Sequence, residues 1–180
     1  MFFRTALQCL YISFFSVTAV AADPQTGPVI KDFGPVFDVS AGAFNLAANK
    51  RYKVSMDVSA TADFSSDLNR HFVSAARFLN MHARNGIDPG NIEFAIIVHG
   101  AAARDLLNDG AYKVRFDEPN PNTALLGQLS QAGVRIYLCG QTAVYRGFAT
   151  EDLNPIVTMS LSAMTAHVRL QEEGFTLIPF

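Results

Sequence analysis

Three features predict an α/β fold, a three-layer α/β/α domain with a mostly parallel sheet. Strand-like and amphipathic helical segments alternate from Tyr52 to the end of the chain, the pattern of repeated βαβ units. The run Ile92-Glu93-Phe94-Ala95-Ile96-Ile97-Val98 is apolar enough to be buried on both faces, as parallel strands are. The segment Val134-Arg135-Ile136-Tyr137-Leu138-Cys139, set between Gly133 and Gly140, reads as a short buried strand that brings a cysteine to its carboxyl end. Ligands and reactive groups gather there in open α/β sheets.

Taken in order, Tyr52-Lys53-Val54-Ser55-Met56-Asp57-Val58 alternates as a strand. Ser66 or Asp67 is placed to cap a helix whose Leu68, Phe72, Ala75 and Leu79 fall on one face and which Gly86 ends. His71 and His82 on that helix are separated by about 16 Å of rise, too far to share a metal ion. After Ile92–Val98 comes His99-Gly100, then a short helical piece through Leu106 and Leu107. Tyr112 to Phe116 reads as a minor strand or an extended connection. Pro119 to Asn122 makes a turn, with Asn122 as cap of a helix carrying Leu125, Leu126 and Leu129. Beyond the cysteine strand, Gln141 to Arg146 suits a short helix. Asn154-Pro155 reads as a helix start, with Val157, Leu161, Met164 and Val168 as its core-facing stripe, and Phe175 to Phe180 as the closing strand. Sequential strands tend to be neighbours, so His99 and Cys139 are expected at one edge of the sheet.

The first 22 residues are set apart. Arg4 gives a short positive region, Ala6 to Val20 is apolar or small, and Ala19-Val20-Ala21-Ala22 offers a cleavage site before Asp23. This is the pattern of a secretory signal peptide, too short in its apolar core for a retained bilayer span and without a charged stop-transfer flank. The expected location is the periplasm or the cell exterior, with no stable membrane insertion after cleavage. Residues 23–49, rich in Gly, Pro, Ala and Asn, read as an N-terminal arm that either stays loose or lies across the domain or a neighbouring subunit. Residues 50–180 form the domain. Cleavage removes Cys9 and leaves Cys139 alone, so no intramolecular disulfide staples the fold.

With 49% hydrophobic residues and a formal charge of −2, the composition suits a globular protein, and no basic run points to nucleic acid. Phosphate-loop, dinucleotide, Cys-x-x-Cys and His-Glu-x-x-His motifs are missing, so neither a cofactor nor a metal is expected. Ser160 and Ser162 are expected within a helix, away from any nucleophile elbow. The chemistry therefore centres on Cys139. Its sulfur is either a thiolate favoured by the N–H groups of the following turn, or a small apolar filler at a strand end. His99 is either a base and hydrogen-bond partner of the thiol or a strand-end residue bonded to backbone. Gln141 either presents its amide to an anion or caps the turn. Arg146 either folds back toward the sulfur or lies at the surface or a subunit interface.

The stretch Cys139-Gly140-Gln141-Thr142-Ala143-Val144-Tyr145-Arg146-Gly147 resembles the Cys-x-x-x-Ala-x-x-Arg-Gly signature of the DsrE/DsrF-like sulfur-relay family. Tyr52-Lys53-Val54, Asn80-Met81-His82, Val98-His99-Gly100, Asn120-Pro121-Asn122, Ala132-Gly133-Val134 and the end from Gln171 resemble its secreted branch. The resemblance implies a persulfide-accepting Cys139, a role as sulfurtransferase or sulfur carrier with a sulfur donor and acceptor as partners, and a homotrimer or hexamer. Better-understood members work in the cytoplasm with companion subunits, whereas this chain opens with an export pattern. The competing expectation is a non-catalytic oligomer that binds a small ligand or other proteins, with Cys139 structural.

Overall fold

The computed structural model describes residues 23–39, 44 and 46–179. The expected signal peptide, residues 1–22, lies outside them. The five strands are β1 (Tyr52–Val58), β2 (Ile92–Val98), β3 (Arg135–Cys139), β4 (Val157–Ser160) and β5 (Thr176–Ile178). They form one sheet in the order β4-β3-β2-β1-β5, with every neighbouring pair parallel. The first four strands add side by side toward one edge, and the last returns to flank β1 on the other.

One face of the sheet carries Val54, Met56, Val58, Phe94, Ile96, Val98, Ile136 and Leu138 into the main core. Over it lie α1 (Arg70–Arg84), which supplies Phe72, Ala75, Ala76 and Leu79, and α3 (Thr123–Gln131), which supplies Leu125, Leu126 and Leu129. α2 (Asp109–Phe116) adds Tyr112, and α4 (Gly140–Arg146) adds Ala143. The other face is thinner. Ala95, Ile97, Cys139 and the edge of Tyr137 pack against α5 (Ala163–Glu172) through Ala163, Ala166 and Leu170, with Phe175 below. The result is the three-layer arrangement expected, with unequal outer layers.

Helix α1 starts at Arg70 and is capped by Asn69, whose side chain accepts from the His71 N–H, in place of Ser66 or Asp67. Asn122 stands at the cap position of α3 as expected, but its Oδ1 accepts from the Asn69 N–H instead, tying the two helix starts together. The segment Tyr112–Phe116 is neither strand nor extended connection. It belongs to α2, which Asn108 caps by accepting from Ala111 N–H, and the Tyr-x-Val-x-Phe alternation misleads because Val114 is turned to solvent.

The largest correction concerns residues 154–172. Asn154 and Pro155 make a turn, with the Val157 N–H bonded to the Asn154 carbonyl, and Val157–Ser160 then pairs with β3 as an edge strand. The helix begins at Ala163, where the Ser162 hydroxyl accepts from the Thr165 N–H. Its buried face is therefore Ala163, Ala166 and Leu170, while Leu161, Met164 and Val168, expected in the core, are 71%, 76% and 54% exposed. The eight-residue delay rotates the helix away from the register that counting from Pro155 predicts.

The described part of the arm lies across α1. A bridge joins Gln25 to Val36, Ile30 is fully buried, and a Cβ at Gly34 would collide with the backbone of Ala76 and Arg77, so only glycine admits this contact. Arg84 holds the arm's other end by donating to the carbonyls of Thr26 and Gly27.

Candidate functional site

Cys139 ends β3, and α4 starts at the next residue, so the chain turns from strand to helix within one peptide. Gly140 makes the turn possible, for its backbone runs against the Ser160–Leu161 backbone of the neighbouring edge strand. The sulfur thus lies where two helices begin, α4 on its own chain continuation and α5 across the sheet. Cys139 is 6% exposed and packs with Ala95, Ile97, Ala163 and Ala166.

Burial alone pushes the Cys139 thiol up. Donation toward the sulfur from the Thr142 hydroxyl, and from the N–H groups of Thr142, Ala163 and Gln141, outweighs it and brings the thiol below its ordinary value. Gln141 therefore contributes its backbone, while its side chain is exposed. Gly140 contributes space. Arg146 occupies the last turn of α4, exposed, and takes no part among the polar groups around the sulfur.

His99 follows β2 directly, and since Val98 lies opposite Leu138, His99 and Cys139 leave adjacent strands at the same height. The two share the sheet edge that the sequence predicts. Among the described residues, the His99 ring is hydrogen-bonded to neither backbone nor thiol. Its Nε2 stands 3.1 Å from both carboxylate oxygens of Asp57 on β1. A second histidine, His167 of α5, places its Nε2 2.7 Å from Asp57 Oδ1. Burial raises the Asp57 carboxyl, but hydrogen bonds from His167 and His99 and their charges outweigh it and hold the group below the usual carboxylate range.

Asp57 and His167 were not among the expected site residues. Asp57 sits on a correctly read strand, where an acid on the thinly covered face is the only signal. His167 is invisible without the true start of α5, because its contact with Asp57 spans 110 positions. Thr142, likewise missed, links the two parts of the site: its hydroxyl serves the Cys139 sulfur and lies 3.4 Å from the Gly100 N–H, just after His99.

Asp57 also borders a cleft of about 430 Å³ that Arg70, His71, Ser59 and Ile178 help to line. His71 is thus on the site side of α1. His82 lies elsewhere, stacked on Phe78 with ring centroids 3.8 Å apart, and burial lowers its pKa. Among the described residues no group of three or more His, Cys, Asp or Glu is arranged to hold a metal ion, and no helix is long and apolar enough to cross a membrane.

Comparison with known proteins agrees with this architecture. The fold is similar to that of a protein of unknown function, MTH1491, from Methanobacterium thermoautotrophicum, with 19% identity and a TM-score of 0.51 over 72% of this chain and 99% of that one. It is also similar to the ychN protein from E. coli, with 15% identity and a TM-score of 0.53 over the same shares of the two chains. No curated protein matches the sequence. The DsrE/DsrF-like family profile matches residues 40–180, which include every strand, every helix and Cys139. The chain belongs to the DsrE/DsrF-like family.

Proposed function

We propose that this protein is an exported sulfur carrier that takes up sulfur as a persulfide on Cys139 and hands it to an acceptor. The observation that carries the reading is the setting of a strand-end cysteine, the one cysteine among the described residues, amid donors that favour its thiolate. The thiolate is the form that attacks sulfur. With a small persulfide R–S–SH as donor, the Cys139 thiolate attacks the outer sulfur, the donor's S–S bond breaks, and R–S⁻ departs with the electron pair. Family membership supports a place in sulfur relay. Thiosulfate, polysulfide and glutathione persulfide are the donors to test. Intact-mass and peptide mass spectrometry should find one added sulfur on Cys139, removable by reductant and missing from Cys139→Ser.

The near-complete burial of Cys139 favours the alternative of a structural cysteine in a binding or interaction module. Thiol labelling of folded protein separates the two. A carrier cysteine reacts without denaturant and below the pH expected of a free thiol, whereas a structural one waits for unfolding.

Self-association is part of the proposal. Val144 and Tyr145 on α4 are 81% and 88% exposed, and they flank the site together with Leu161 and Met164. Such apolar side chains are suited to burial against another copy. Light scattering should give a mass above the monomer that Met164→Glu lowers while the fold persists. Export follows from the character of residues 1–22, and intact mass of protein recovered from the periplasm should show a chain beginning near Asp23.

A further inference from the structure

We propose that Asp57 is a positioning residue in a proton relay running through His99 to Cys139, with His167 as the anchor of the carboxylate; this rests on the sulfur-carrier reading of Cys139. Because Nε2 of His99 donates to Asp57, Nδ1 is the ring nitrogen left to accept or return a proton. His99 leaves β2 alongside Cys139 on β3, about 5 Å away strand to strand. The turn after His99 is fastened to the cysteine's own helix, since Gly100 N–H approaches the Thr142 hydroxyl that serves the sulfur.

The two histidines are not equivalent. Nδ1 of His167 is buried with no hydrogen-bond partner among the described residues, so a proton placed there would be a donor with no acceptor. His167 therefore fixes Asp57, and His99, one-third exposed, carries the proton. Arg70 and His71 face Asp57 across the cleft, and among the described residues no other titratable side chain lines it.

In the step itself, the Cys139 thiol passes its proton to His99 Nδ1, and the thiolate attacks the outer sulfur of R–S–SH. The S–S bond of the donor breaks, R–S⁻ takes the electron pair, and His99 returns the proton to give R–SH. Cys139 is left as Cys–S–SH. The sulfur moves without net oxidation, so no further reactant is required. Asp57 offsets the positive charge on the imidazole while it holds the proton.

The test compares mature wild type, Asp57→Asn, Asp57→Glu, His99→Ala, His167→Asn and the Asp57→Asn/His99→Ala double variant. Loading from glutathione persulfide and alkylation by iodoacetamide are followed from pH 5 to 9, with melting temperatures recorded. Asp57→Asn should slow both reactions about tenfold near neutral pH and alter their pH profiles, Asp57→Glu should recover part of the rate, and the double variant should be no slower than His99→Ala. His167→Asn should lower the melting temperature yet stay within about threefold of wild type. Wild-type rates and profile in Asp57→Asn, multiplying effects in the double variant, or equal losses in His167→Asn and Asp57→Asn would each overturn the relay. If wild type takes up no sulfur, the carrier reading fails by itself. Alkylation still decides the relay, a slower Asp57→Asn upholding it and an equal rate refuting it.

Discussion

Asn80 in α1 accepts from the backbone N–H of Ile30 at 2.8 Å and of Val29 at 3.1 Å through one oxygen. Its amide nitrogen donates to the carbonyls of Ile30, Phe33 and Gly34. A single fully buried side chain thus satisfies five backbone groups of a segment that has no regular structure of its own. Asn80→Ala removes this partner from all five, and among the described residues only the Ile30 carbonyl keeps another, the Gly27 N–H. The substitution should cost roughly 3 kcal/mol in urea unfolding and make residues 23–39 the first site of limited proteolysis.

At Gly140, an added Cβ would lie 2.6 Å from the Ser160 carbonyl oxygen and 3.2 Å from that of Leu161. Both obstacles are backbone, so β4 must shift rather than a side chain rotate. Gly140→Ala should cost about 2 kcal/mol and lower the melting temperature by about 5 °C. Because β4 leads into α5, the N–H of Ala163 should draw away from the sulfur, and native thiol labelling should slow.

Thr142 provides the strongest of the influences that bring the Cys139 thiol down. Thr142→Val keeps the shape and removes the hydroxyl, so the midpoint of alkylation against pH should move upward. An unchanged midpoint would assign the whole effect to backbone N–H groups.

Asp105 is 2% exposed, and desolvation raises its carboxyl pKa despite hydrogen bonds from Asn69 and Thr61 and the charge and hydrogen bond of Arg104. The fold therefore prefers the protonated form. Its favourable contribution is complete below the unfolded carboxyl value and is lost as pH rises through the folded one. Asp105→Asn does not titrate. From pH 4 to pH 7 the difference in urea midpoint between variant and wild type should move steadily in the variant's favour.

Long, periodic elements were legible from residues alone. β1, β2, β3, α1 and α3 each carry an apolar pattern that burial then uses. β4 was not, because a four-residue edge strand with Thr158 and Met159 exposed shows no alternation to read. That omission moved α5 by two turns and hid His167. At the site, Cys139 and the neighbourhood of His99 could be placed by counting strands. The direction of the His99 ring could not, since it depends on an acid two strands from the cysteine. The contribution of Gln141 was equally hidden, because a backbone N–H leaves no trace in residue type.

The hold of Arg84 on Thr26 and Gly27 gives the molecule a usable polarity. Helix α1 runs back from the carboxyl ends of the strands, so its last residue lies at the opposite rim of the sheet from Cys139, and on the opposite layer from α5. Protein fixed to a bead or fused to a carrier domain through residues ahead of Asp23 would be held by its far pole. The thiol would point away from the support, and immobilised protein would remain open to reagents at the cysteine end.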